Sequence, residues 1–101
     1  MKEIKTKEEF NEAIKGKVLV DFYADWCGPC KMLTPVLEEV ESNFEDLTFI
    51  RVNTDNLMSI ARDYKIMSIP NLKIIENGKI ISEKVGFMSR TELLEFLEGG
   101  K

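Results

Sequence analysis

At 101 residues, with 44% hydrophobic and 32% charged side chains, the chain has the composition of a globular domain whose core is large enough to stand without staples. A formal net charge of -4 argues against nucleic acid or an anionic membrane as a main partner, because both need a basic face. No apolar run is long enough to span a membrane and residues 1–9 hold no apolar signal core, so a reducing cytoplasmic setting is expected.

Residues 2–5 can form a short strand. Thr6 with Glu9 three residues later is a capping box, and Phe10, Ala13 and Ile14 mark one face of the helix it opens. Gly16 closes that helix. From Val18 to Ala24 the chain is apolar except for Asp21, the pattern of a central strand covered on both faces. Leu33, Val36, Leu37, Val40 and Phe44 then recur at helical spacing, so a long helix begins near Cys27 or Cys30, and Pro35 inside it is expected to bend it.

Residues 47–53 read as a second buried strand. Thr54 or Asp55 is placed to cap a helix carrying Leu57, Ile60, Ala61 and Tyr64 on one face. Residues 71–76 and 79–85 are two β-rich runs joined by Asn77-Gly78, a strong hairpin signal. Ser89 with Glu92 is a second capping box, opening a last helix that carries Leu93, Leu94, Phe96 and Leu97, and residues 99–101 read as a frayed end. The order βαβαβαββα implies one three-layer α/β domain over residues 1–101, wound first from right-handed βαβ units and finished by an antiparallel hairpin.

The only two cysteines lie in Trp26-Cys27-Gly28-Pro29-Cys30, where a strand hands over to a helix. Cysteines three apart at a helix start share a face and can close a small disulfide ring. Unpaired N–H groups and the helix dipole converge there and stabilise a thiolate at Cys27, and Pro29 fits a first turn where its missing donor costs nothing. Gly28 leaves room for another chain to approach. Cys27 would attack a substrate disulfide, and Cys30 would then attack Cys27 to release the reduced substrate. Inert structural thiols and a zinc site are the competing readings. Zinc usually takes four nitrogen or sulfur ligands, whereas this chain has two cysteines and no histidine. A cysteine-hydrolase nucleophile would also lack a histidine base.

The segment Val20-Asp21-Phe22-Tyr23-Ala24-Asp25-Trp26-Cys27-Gly28-Pro29-Cys30-Lys31-Met32 resembles the active-site segment of the thioredoxin family. The resemblance continues through Pro35, Asn53-Thr54-Asp55, Ile69-Pro70, Asn77-Gly78 and Lys84-Val85-Gly86, nearly the whole chain. It implies a thioredoxin fold, with a mixed five-stranded sheet of order 1-3-2-4-5 and four flanking helices. It also implies a protein-disulfide reductase whose redox-active disulfide is Cys27–Cys30. Thioredoxin reductase would recharge it, drawing on NADPH, with no bound cofactor or metal, and the chain would act as a monomer. Family oxidants typically carry a histidine between the cysteines and glutaredoxins Pro-Tyr, so Gly28-Pro29 points to the reducing end.

Further roles follow from the same resemblance. Asp21 would be the buried carboxylate that moves a proton to or from Cys30, with a raised proton affinity caused by desolvation. Arg51 stands where many relatives have lysine; it would hold Asp21 ionised more firmly or snorkel to solvent. Pro70 would be cis and lie against the disulfide, and its neighbours' backbone would pair with an extended substrate segment. Trp26, Met67, Ile69, Pro70 and Gly86 would form an apolar substrate surface beside the cysteines. Lys31 flanks Cys30 and either supports the thiolate or is simply solvated. Tyr23 and Asn71 replace a tryptophan and a threonine common in relatives, and would tune potential or substrate choice. The alternative from a different class is a non-catalytic scaffold that clamps a partner with this patch.

Overall fold

The computed structural model describes residues 1–99, so residues 100–101 of the expected frayed end lie outside the described residues. The described elements run β1 (Lys2–Glu3), α1 (Lys7–Ala13), β2 (Lys17–Tyr23), α2 (Gly28–Glu41), β3 (Thr48–Asn53), α3 (Met58–Asp63), β4 (Asn71–Glu76), β5 (Lys79–Val85) and α4 (Arg90–Leu97). One sheet joins all five strands in the order β1-β3-β2-β4-β5. β3 pairs parallel with β1 and β2, while β4 pairs antiparallel with β2 and β5. This is the expected thioredoxin fold.

Alternation along β2 decides which residues can reach which helices. Val18, Val20 and Phe22 pack with Phe10 of α1, Ile60 of α3 and Ile50 and Val52 of β3. Leu19 joins Phe49, Leu72 and Ile74 under Leu33, Leu37 and Val40 of α2 and Leu93 and Phe96 of α4. Asp21 follows Leu19 by two positions and stands in register with Arg51 and Leu72. Its carboxylate is therefore turned toward the α2 face of the sheet. α2 remains a single 14-residue helix with Pro35 inside it, and its apolar face carries the expected spacing.

The caps depart from the sequence in two places. Thr6 accepts from the Glu9 N–H at 3.1 Å, but Glu9 Oε1 accepts from the Lys5 N–H at 2.6 Å, so the first box does not close on Thr6. Neither Thr54 nor Asp55 caps α3: the helix begins only at Met58, after Leu57 and without a side-chain cap. Their side chains have other partners. Thr54 Oγ1 donates to the Tyr23 carbonyl at 3.1 Å and Asp55 Oδ2 accepts from the Trp26 indole at 3.0 Å. The intervening turn is held instead by Asn53 Oδ1, which accepts from the N–H groups of Asp55 at 2.9 Å and Asn56 at 3.2 Å. The Ser89–Glu92 box is complete. Asn77 and Gly78 have φ of 53° and 78°, as a two-residue primed hairpin turn requires.

Candidate active site

The end of β2 and the start of α2 deliver both cysteines. Cys27 is the N-cap of α2, and its Sγ accepts the Cys30 N–H at 3.2 Å. Pro29 sits in the first helical turn. The two residues are disulfide-bonded, with Cα atoms 5.2 Å apart. Exposure hardly separates them, at 4% for Cys27 and 2% for Cys30. Their surroundings do. Cys27 Sγ lies 3.8 Å from the Ile69 carbonyl oxygen, next to the cis Ile69–Pro70 peptide. Cys30 instead lines a cleft of about 310 Å³ that also touches Tyr23, Lys31, Thr34 and Arg51.

The wall facing Cys27 is pinned from a third segment. The Gly86 N–H donates to the Pro70 carbonyl at 2.8 Å, and Gly86 holds φ of 99°, a conformation that favours glycine. Around it the surface is apolar: Trp26 is 71% exposed and Met67 93%, and Ile69 packs against the cluster of Tyr23, Ala24, Cys27 and Cys30. Met67 and Asp55 also line a groove of about 450 Å³ with Met58, Arg62, Lys65 and Ile66. Phe87, next to Gly86, is 43% exposed and was not singled out in the sequence, although its adjacency to that glycine was a usable signal.

Behind the disulfide the chemistry is polar. Asp21 is 2% exposed, and Arg51 Nε donates to its Oδ2 at 3.3 Å. The same guanidinium donates through Nη2 to Thr34 Oγ1 at 3.4 Å, and Thr34 donates to the Cys30 carbonyl at 3.1 Å. Arg51 is thus tied to the carboxylate rather than snorkelling to solvent. Burial pushes the Asp21 carboxyl up to about 6; the Arg51 charge and hydrogen bond oppose that rise and the Glu3 charge adds to it. Desolvation outweighs the arginine. The Tyr23 phenol, which donates to Glu3 Oε2 at 2.8 Å, is pushed up to about 12 by burial and by Glu3.

The remaining expectations sort by place. Lys31 is exposed at the rim of the cleft and forms no ion pair among the described residues, and Gly28 has open space where a side chain would stand. Asn71 is buried but stands in register with Phe22, on the sheet face opposite Asp21. Thr34 and Glu3 went unnoticed in the sequence. Thr34 follows Cys30 by one helical turn, a signal that was available, whereas nothing local ties Glu3 to the site. Among the described residues no cluster of three or more His, Cys, Asp or Glu side chains is arranged to hold a metal.

A cysteine pair that closes a ring at a helix start, with both partners held by one rigid turn, can pass between dithiol and disulfide and so carry two electrons between thiols. Fold and pair together define a thiol–disulfide oxidoreductase. A family model described as Thioredoxin matches residues 2–99. A thioredoxin of Mycoplasmoides gallisepticum is 42% identical over 100 residues, spanning 97% of this chain and 100% of the relative. One from Chlamydia trachomatis is 38% identical over 98 residues and 96% of each chain. A solved structure of Plasmodium falciparum thioredoxin superposes with a TM-score of 0.91 at 31% identity, covering 97% of both chains. The chain belongs to the thioredoxin family, and its redox-active cysteine pair makes it a protein-disulfide reductase.

Proposed function

We propose that Cys27 is the attacking and Cys30 the resolving cysteine of this reductase, with Asp21 serving the proton traffic of Cys30. The Cys27 thiolate attacks one sulfur of a substrate disulfide; that S–S bond breaks, the leaving thiolate takes a proton, and a Cys27–substrate disulfide remains. Cys30 then gives up its proton, and its thiolate attacks Cys27 Sγ. The second substrate sulfur leaves as a thiol and Cys27–Cys30 closes, so two electrons and two protons have passed to the substrate. The observation that carries this assignment is the asymmetry of the pair. Cys27 alone caps α2 and meets the Ile69 carbonyl, while Cys30 lines the cleft at Thr34 and Arg51.

Asp21 suits its role because it is buried, and its affinity places proton exchange close to neutrality. Trp26, Met67, Ile69, Pro70 and Gly86 form the docking surface, on which an extended substrate segment lies against the backbone at Ile69. Gly28 and Pro29 shape the turn, and Lys31 and Arg51 flank it. The single sheet and the family match over residues 2–99 support reading residues 1–101 as one domain. We assign the chain a cytoplasmic role in redox homeostasis as a monomeric electron carrier that takes its electrons from NADPH through a thioredoxin reductase. Family membership supports that pathway, and no feature of the site favours the scaffold alternative. Insulin reduction driven by NADPH and a thioredoxin reductase tests the assignment: turnover should occur and vanish in Cys27→Ser. Activity that survives Cys27→Ser would refute it.

A further inference from the structure

We propose that Tyr23 is a positioning residue whose ring is the platform that keeps the Arg51 guanidinium seated on both Asp21 and Thr34 while the cysteines turn over. The guanidinium carbon lies 3.7 Å from the centroid of the Tyr23 ring. Its two hydrogen bonds, 3.3 Å to Asp21 and 3.4 Å to Thr34, are longer than typical N–H···O bonds, so neither fixes the side chain by itself. The ring supplies the third contact, a flat face to which a planar cation is attracted and against which it stacks. The ring is anchored in turn by the phenol, which donates to Glu3 of β1 at 2.8 Å. Without the ring, the guanidinium is free to swing into the cleft of about 310 Å³ that it already lines.

The inference rests on the reading that Asp21 exchanges a proton with Cys30. The groups facing the Asp21 carboxylate come from every neighbouring element. β3 contributes Arg51 and β1 contributes Glu3 by way of the phenol, while α2 enters through Thr34, which accepts from the same guanidinium and donates to the Cys30 carbonyl. Across the strand pair β4 sets the apolar Leu72, and Asp25 and Lys31 stand at the cleft. Arg51 is the one cation hydrogen-bonded to Asp21 among the described residues and the main influence opposing desolvation, so whatever seats it bears on how strongly Asp21 holds its proton.

Titration of the Asp21 side-chain carboxyl by ¹³C NMR in the oxidised protein tests the platform with the cysteines held out of the titration. Tyr23→Leu should raise the Asp21 midpoint by about one pH unit, as expected when an adjacent opposite charge is lost in part. Arg51→Met should raise it at least as far, and adding Tyr23→Leu to Arg51→Met should then change little. Tyr23→Phe keeps the ring but loses its anchor on Glu3, and should raise the midpoint by less than Tyr23→Leu. Should Tyr23→Leu fail to fold, Tyr23→Met carries the same comparison. A midpoint that stays put or falls in Tyr23→Leu, or that moves equally with Arg51→Met present, would overturn the proposal. If the midpoint moves while the pH profile of disulfide reduction does not, the platform stands and the proton role of Asp21 falls.

Discussion

Asp21 sits where a folding chain would not place a carboxylate for stability alone. Its folded affinity, near 6, lies above the ordinary aspartate value of 3.8. The folded state therefore holds a proton that the unfolded state has released, so stability is greatest below the lower value and declines as pH rises through about 6. At neutral pH the ionised, buried side chain costs about 3 kcal/mol at most, from a shift of roughly two units. Asp21→Asn should recover part of that. Urea unfolding of the oxidised protein should show the variant more stable at pH 7, with the gain shrinking toward pH 4. The same substitution should remove the acid limb of disulfide reduction near pH 6, where the ionised carboxylate is lost as a base for Cys30.

At the scale of elements, the site is a meeting of segments, and each has its own test. Gly86 holds φ of 99° with open space where a Cβ would stand, so Gly86→Ala costs backbone strain of roughly 1–2 kcal/mol rather than a clash. That strain falls on the N–H that holds the Pro70 carbonyl. Reduction of protein disulfides should slow in Gly86→Ala while reduction of a small disulfide is largely spared; equal loss on both would remove the docking role. The β4–β5 pair carries an unusual charge, with Lys73 only 3% exposed and bonded to Glu83 in register across from it. Glu83→Gln leaves a buried ammonium short of its counter-ion and should destabilise by about 1–2 kcal/mol, discounted because Glu83 is half exposed. Lys73→Met should be near neutral in the same chemical unfolding measurement.

For the molecule as a whole, what could be read in advance is what local spacing encodes. Two cysteines three apart, a polar break in an apolar strand and an Asn-Gly between two β runs each act within a few residues, and each stands in the structure as its spacing implied. The α3 cap departs from its local pattern for the opposite reason. Thr54 and Asp55 are good capping residues by type, but Tyr23 and Trp26, distant in sequence, compete for their side chains. The Arg51 environment was equally hidden. Whether that arginine snorkels or binds Asp21 depends on a parallel register that brings β2, β3 and β1 side by side, and on a ring from β2 that covers it. Family resemblance supplied the cis Pro70 wall, which no spacing near the cysteines encodes.

The proposed function gives the two cysteines of one short motif different jobs. Mixing the Cys30→Ser variant with a protein disulfide and mapping the product by mass spectrometry tests it most directly. A stable mixed disulfide joining the substrate to Cys27 is the predicted result, with none formed by Cys27→Ser under the same conditions. Trapping of the substrate on Cys30 in the Cys27→Ser variant, with none on Cys27 in the Cys30→Ser variant, would contradict it.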